Sequence, residues 1–443
     1  MSRRGSTRWC ASSWGGSMAR NQTTTGGREA TTGVIPGRWA LSVGNPGTPT
    51  EPGFCWTSLS ELARLESGHT PSRSKPEYWN GDIPWVGIKD ATGNHGRVIC
   101  STLQSITGEG VANSSARVLP AGTVCLSRTA SVGYVVTMGV PMATSQDFVN
   151  WVCGPGLSSR YLHYILMSEQ ESVRRFAHGT THQTVYYPEA KAFHVCIPER
   201  KEQDSIVAVL GALDDKIAVN EHIAATVDSL VGSMYEKTLS AGGGSEEVLL
   251  GEIATINANS TKQLHEGVLR YVDISSVGVG SYEWPDLISW DEAPGRARRK
   301  ASVGDTIWST VRPSRRSHAL VLDGDPELVF STGLAVLGPK SVGPALLYEV
   351  TRTAEFQSYL ESVAEGSAYP AVRADRFASA PVLLPPKDVR EEFERSAMNL
   401  RHRAHQAAVE SRTLAVLRDT LLPQLMSGML RVHDAEQIVE DAV

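Results

Sequence analysis

The chain has 443 residues, 41% of them hydrophobic, and a net charge of −6 at pH 7. That length suits two or three ordinary domains, and no apolar run approaches the roughly 18 residues of a membrane span. The N-terminus carries no hydrophobic segment like that of a signal peptide. Cys10, Cys55, Cys100, Cys125, Cys153 and Cys196 are scattered without a CxxC pair, so secretion, a disulfide framework and a zinc site are not expected, and buried free thiols are.

In chain order, residues 1–53 hold Arg3, Arg4, Arg8, Arg20, Arg28 and Arg38 among Gly, Ser and Thr with no hydrophobic period, which predicts a disordered extension dispensable for folding. A first globular unit is expected over 54–197. Leu59, Leu62, Ala63 and Leu65 suggest an amphipathic turn, and Ser67 to Ser72 a polar loop. β-Branched and aromatic residues predict strands at Trp85–Ile88, Thr123–Leu126 and Val149–Val152, and a helix is expected from Ser158 to Phe176. The loop His178 to Thr184 is rich in small hydroxyl and amide groups that reach phosphates or base edges without steric cost.

A long helix is predicted over 198–240. Ile206, Leu210, Leu213, Ile217, Asn220, Ala224, Val227, Val231 and Met234 fall at alternating steps of four and three, the seam of a coiled coil. Such a rod, roughly 55 Å long at 1.5 Å per residue, needs a partner helix. Adding 187 to each seam position gives Phe393, Ala397, Leu400, Ala404, Ala407, Ser411, Leu414, Arg418 and Leu421, again mostly apolar or small. A second long helix is therefore expected over 385–428, followed by a tail over 429–443.

Between the helices, 241–384 makes a linker and a second unit that repeats the first, opening at Leu249 to Ala254, with a strand from Val329 to Leu337 and a helix from Tyr348 to Val363. Gly122 to Ser127 matches Gly304 to Ser309, and Ala177-His178-Gly179-Thr180 matches Ala364-Glu365-Gly366-Ser367, so the chain is a tandem duplication. The negative net charge argues mildly against a nucleic-acid partner, yet its distribution is uneven. Arg296, Arg298, Arg299, Lys300, Arg312, Arg315 and Arg316 face only Asp305 across 296–316, and they flank the predicted strand Thr306 to Ser309, which could aim both clusters at one phosphate track.

This layout resembles the specificity subunit of type I restriction-modification systems. The residues that carry the resemblance are Glu66 to Ser72, Tyr78 to Val86, Gly179-Thr180-Thr181-His182-Gln183 and the helix end Leu421 to Gly428. It implies an α+β fold with two strand-rich target recognition domains in tandem, each followed by a long helix. The two helices would pair as an antiparallel coiled coil with pseudo-twofold symmetry. It implies a non-catalytic DNA-binding subunit, cytoplasmic, that reads a bipartite asymmetric target on double-stranded DNA. Two methyltransferase subunits, which bring S-adenosylmethionine, and two ATP-dependent restriction subunits would dock on it; this chain itself would bind no cofactor.

The residues expected to touch DNA are Ser72, Arg73, Lys75, Lys89, Thr180, Thr181, His182 and Gln183 in the first unit. In the second they are Arg296, Arg298, Arg299, Lys300, Arg312, Arg315, Arg316, Ser367 and Tyr369. Tyr186 and Tyr187 are expected to pack on the core. No phosphate loop, HExxH, GxSxG or amino-methyltransferase motif is present, in keeping with a subunit that binds and leaves catalysis to others. The alternative is a coiled-coil scaffold with two protein-binding domains and no DNA role.

Overall fold

The computed structural model describes residues 33–179, 183–241, 244–262, 266–366 and 369–442. It divides into two compact units, Met1–Gly211 with Asp419–Val443, and Ala212–Arg418. The division falls inside both long helices, so each unit takes a share of each.

The first unit begins with β1 (Ile35–Pro36), β2 (Leu41–Val43), β3 (Cys55–Ser58), α1 (Leu59–Leu62), β4 (Ala63–Ser67) and β5 (Trp79–Val86). There follow α2 (Ile88–Gly93), β6 (Arg97–Ile99), β7 (Gln104–Ile106), α3 (Gly108–Ala112), β8 (Val124–Ser127), β9 (Val135–Met138), β10 (Ala143–Thr144) and β11 (Phe148–Cys153). Then α4 (Ser159–Ser168), α5 (Gln170–Phe176), α6 (Tyr187–Lys191) and β12 (Phe193–Ile197) lead into α7 (Arg200–Ala241). The main sheet runs β4-β11-β8-β9-β6, beside β10-β5-β7 and β1-β2-β12-β3. Its centre is apolar on both faces, with Val124, Leu126, Phe148, Trp151, Tyr161 and Ile165 all fully buried, as a sheet covered by helices requires.

Three expectations are corrected here. Residues 33–53 are not a disordered extension: β2 pairs with β12, placing Leu41 opposite Val195, and Ala40, Leu41 and Val43 are buried. The part of that expectation covering 1–32 lies outside the described residues. The helix expected from Ser158 to Phe176 is two helices broken at Glu169. The break turns the fully buried Glu169 carboxylate onto the backbone N–H groups of Arg38, Trp39, Ala40 and Leu41, at 2.9, 2.5, 2.6 and 3.1 Å, so the break and the added strand have one cause. Finally, Trp85–Ile88 is not one strand, since β5 ends at Val86 and Ile88 opens α2.

The second unit contains β13 (Glu246–Leu249), α8 (Leu250–Ile253), β14 (Ala254–Ile256), β15 (Val268–Val272), β16 (Leu287–Ser289) and β17 (Ala297–Arg299). After these come β18 (Thr306–Ser309), β19 (His318–Leu320), β20 (Leu328–Ser331) and β21 (Leu334–Pro339). The unit continues with α9 (Pro344–Val350), α10 (Ala354–Ser362), α11 (Ala374–Ala378), β22 (Pro381–Leu384) and α12 (Lys387–Ser427), and α13 (Val432–Ala442) returns to the first unit.

Strand registers repeat between the units. Phe148 lies opposite Ser127 and Leu334 opposite Ser309; Trp85 pairs in parallel with Ala143 and Tyr271 with Val329; Ile197 faces Cys55 and Leu384 faces Glu246. The strand expected from Val329 to Leu337 is a hairpin, β20 and β21, turning at Thr332-Gly333. A Cβ at Gly333 would displace the end of the Ile274 side chain, which lies against the turn. The helix expected from Tyr348 to Val363 is likewise two, α9 and α10, the second capped by the Thr353 hydroxyl on the Phe356 N–H.

Both long helices form as expected. Along the two seams every residue is buried or half-buried, and Asn220 and Ala407 are 1% exposed. Within the second unit Asp214 meets Arg418 at 2.9 Å, Lys216 meets Glu410 at 3.1 Å and Asp228 meets Arg401 at 2.7 Å. Partner numbers fall as residue numbers rise, so the two segments run in opposite directions there. Asn220 Nδ2 donates to Glu410 Oε2 at 2.8 Å inside this seam, a polar contact of the kind that fixes register. Cys125 and Cys196 are buried, and Cys55 and Cys153 half-buried; Cys100, just past β6, is exposed, against the expectation of buried thiols. Among the described residues no helix is long and apolar enough to cross a membrane.

Candidate nucleic-acid interface

In the first unit a polar strip forms where three loops converge on the ends of β5, β8 and β10. Arg73 lies over the Trp79 ring at 3.8 Å and the Trp85 ring at 5.2 Å, and its Nη2 donates to Gln104 Oε1 at 2.9 Å. The two indoles stand edge to face at 5.2 Å and are anchored in turn, Trp79 Nε1 to the Ser72 carbonyl and Trp85 Nε1 to the His69 carbonyl. Stacking fixes the plane of an exposed guanidinium and leaves its edge donors for a planar or anionic acceptor.

Next to it, the Thr70 hydroxyl donates to Gln146 Oε1 at 2.5 Å, and Arg128 Nε donates to the Gln146 carbonyl at 3.1 Å. Arg128 sits over Tyr187 at 4.9 Å; burial pushes the Tyr187 phenol up, opposed by the Arg128 charge. Thr129 and Thr184 meet through their hydroxyls at 2.9 Å, and His178 and Thr184 exchange backbone hydrogen bonds at 2.9 Å, closing the loop base. Exposed or half-buried amide, hydroxyl and guanidinium groups thus follow one another from Gln104 to Gln183.

The second unit rebuilds the same backbone frame with other side chains. Arg128 N donates to the Asp147 carbonyl and Val185 N to the Arg128 carbonyl; in the second unit Thr310 N donates to Gly333 and Val372 N to Thr310. The Thr332-Gly333 turn also receives the basic run, since Thr332 N donates to the Arg296 carbonyl at 2.8 Å. Arg296 reaches Asp273 at 3.2 Å and stays mostly exposed. Arg312, in the left-handed region at φ 52°, donates its N–H to Pro370 and lays its guanidinium over the exposed Tyr369 ring at 4.8 Å. Arg315 is exposed on the 3-10 turn Pro313–Arg315.

The expected residues therefore divide. Ser72, Arg73, Gln183, Arg296, Arg312, Arg315 and Tyr369 line these two surfaces. Lys75 is exposed but tied to the Tyr78 hydroxyl at 3.1 Å, a hydrogen bond that holds its ammonium pKa up, and Lys89 is exposed on the first turn of α2. Thr180, Thr181, His182 and Ser367 lie outside the described residues.

Others turn away from solvent. Arg316 donates through Nη2 to the Arg352 carbonyl at 2.7 Å, and its Nε is buried. Lys300 donates to the Pro326 and Leu328 carbonyls at 2.5 and 3.0 Å, and burial lowers its pKa. Arg298 bonds the neighbouring Ala297 carbonyl, and Arg299 Nε is buried. The two basic clusters are thus not one charged track; strand alternation and local backbone acceptors divert about half of it.

Arg128, Gln146, Thr70, Gln104 and Trp79 are absent from the sequence-derived set. Arg128 had a signal, since it directly follows the Gly122–Ser127 match and so shares the repeat position of Thr310, two residues before Arg312. Tyr187 is half-buried, with its hydroxyl on the Phe148 carbonyl, and it also carries Arg128; Tyr186 is exposed, against the expectation that both pack on the core.

Residues 56–229 match the family model described as type I restriction modification DNA specificity domain. The chain is 23% identical over 406 residues to the type I restriction enzyme MjaIX specificity subunit of Methanocaldococcus jannaschii, covering 85% of this chain and 93% of that protein. Over 167 residues it is 28% identical to the EcoR124I/EcoR124II specificity subunit of Escherichia coli, covering 36% of this chain and 40% of the relative. In fold it is similar to the type I restriction-modification S subunit from M. genitalium, with a TM-score of 0.54 at 16% identity, covering 86% of this chain and 97% of that one.

Proposed function

Because this chain belongs to the family of type I restriction-modification specificity subunits, we propose that it is the DNA-reading, non-catalytic subunit of such a complex, working in the cytoplasm. In this reading residues 54–197 and 241–384 are two target recognition domains, and each reads one half of a split, asymmetric site. The observation that carries it is the pair of aromatic-backed arginines on one repeated frame, Arg128 over Tyr187 and Arg312 over Tyr369. A frame common to both units with different side chains on it, Thr310 where the first unit has Arg128, suits two different half-sites.

The long helices are then an antiparallel coiled coil with pseudo-twofold symmetry that sets the gap between half-sites. They also dock two methyltransferase subunits, with two restriction subunits joining for cleavage. S-adenosylmethionine would belong to the methyltransferase partners. The test is selection of duplexes from a random pool by the full chain, read at several salt concentrations. A split motif with one fixed gap and affinity that falls steeply with salt is expected. Duplex binding absent at physiological salt would favour the scaffold alternative and end this reading.

A further inference from the structure

In the second unit four charged groups close a ring, with Glu349 and Arg401 buried and Arg352 and Asp228 half-buried. Arg352 donates through Nη1 to both Glu349 carboxylate oxygens at 3.1 and 3.1 Å and through Nη2 to Asp228 Oδ2 at 2.5 Å. Arg401 answers with Nη1 on Asp228 Oδ1 at 2.7 Å and Nη2 on Glu349 Oε1 at 2.5 Å. Each guanidinium therefore bridges both carboxylates, the charges sum to zero, and the Tyr348 ring lies under the two guanidinium carbons at 5.0 and 4.9 Å. Burial would raise the Asp228 carboxyl, but its bonds and charge contacts with Arg401 and Arg352 hold it below its ordinary value.

Asp228 comes from α7, Arg401 from α12, and Glu349 and Arg352 from α9 and the residues just after it. The ring thus ties the globular part of this unit to both long helices. It also reaches the candidate interface, because the Arg352 carbonyl accepts Arg316 Nη2, which anchors the turn bearing Arg315. Stability alone does not account for it. Counted from the helix N-caps Ser158 and Gly343, Tyr164 and Met167 stand at the places of Glu349 and Arg352; Tyr164 is buried, Met167 half-buried and neither is charged, so the first unit fills the same positions without ions. Apolar contacts are non-directional and tolerate neighbouring packings, whereas a closed ring of bidentate bonds is met by one arrangement only.

We propose that Asp228, Glu349, Arg352 and Arg401 are positioning residues that fix the angular setting of the second recognition unit on the helices, and hence the phase between the two half-sites. This rests on the DNA-reading function above. A unit free to rotate about the rod by one base pair's share of the DNA turn, about 34°, would accept a neighbouring gap length.

The experiment replaces the ring by apolar groups, D228A/E349L/R352I/R401M, and runs the full chain through the same duplex selection beside a thermal melt. A second variant, Arg352→Lys, keeps the charge but lacks the fork that bridges both carboxylates. The expected result for both is a melt near that of the parent, unchanged half-site sequences, and a second gap length making up about a tenth or more of the selected pool, a difference of ~1.4 kcal/mol or less between settings. A folded variant that keeps the parent's single gap overturns the inference. Failure of both variants to fold overturns it too, showing a stability device instead. A parent that selects no split site removes the DNA-reading function itself, and the inference falls with it.

Discussion

Two adjacent arginines in the basic run should fail in opposite ways when removed. Arg316 is half-buried, its guanidinium is 2.7 Å from the Arg352 carbonyl, and its own carbonyl accepts His318 Nδ1 at 2.6 Å. A hydrogen bond from a charged donor contributes roughly 1.5–3 kcal/mol, and partial exposure brings the expected cost of Arg316→Ala to about 1–2 kcal/mol. For a unit of this size that is a drop of about 3–6 °C in melting temperature. Arg315 is exposed on the turn, so Arg315→Ala should stay within ~0.5 kcal/mol of the parent. Its effect should appear in DNA binding instead. One lost phosphate contact makes the slope of log affinity against log salt shallower by about 0.9, with affinity falling several-fold. Differential scanning fluorimetry and titrations at three salt concentrations separate the two. The reasoning is refuted if Arg316→Ala melts with the parent, or if Arg315→Ala leaves the salt slope unchanged.

Other outcomes follow from the same geometry. Glu169→Ala strips the acceptor from four backbone N–H groups and should release β1 and β2, at a cost of roughly 3 kcal/mol or more. Hydrogen exchange should speed up over residues 38–43; unchanged protection there would show that pairing with β12 suffices. Burial lowers the pKa of His318 to about 4, below its ordinary value of 6.5. Between those values the unfolded chain binds the proton and the folded chain does not, so stability is lost as pH falls from 6.5 to 4, by up to about 3 kcal/mol. His318→Phe should flatten that part of the pH–stability curve, and an unaltered slope would assign the acid sensitivity to other groups. Inserting seven residues after Asn220 and seven after Ala407 preserves heptad phase and adds about 10.5 Å of helix, so the selected gap should grow by about three base pairs. Active protein with the original gap would rule out the helices as the ruler.

The long helices were legible because their signal is local and periodic. The seam from Ile206 to Met234 needs no long-range information, and an identical spacing 187 residues later names its counterpart. Repeated motifs likewise gave the strands β8 and β18, since short β-branched runs beside fixed glycines keep their meaning in either unit. Element boundaries were less legible where a single side chain acts over a distance. Nothing near Glu169 announces that the helix breaks to bond residues 131 to 128 positions earlier, and nothing in 33–53 shows that Leu41 and Val43, two of its apolar residues, complete a sheet with β12.

The candidate interface divides along the same line. The sequence by itself determined that six arginines and one lysine crowd 296–316 and that the repeat places loops at 178–184 and 366–370. Only the tertiary structure decided which of those cations face outward: Arg312 rests on Tyr369, while Arg316 and Lys300 are drawn onto backbone carbonyls. It alone joined Arg73 to Gln104 and Arg128 to Gln146, across 31 and 18 residues. A residue's type and period are properties of the chain, but the acceptor nearest a long, flexible cationic side chain is set by whatever backbone the fold brings within about 3 Å of it.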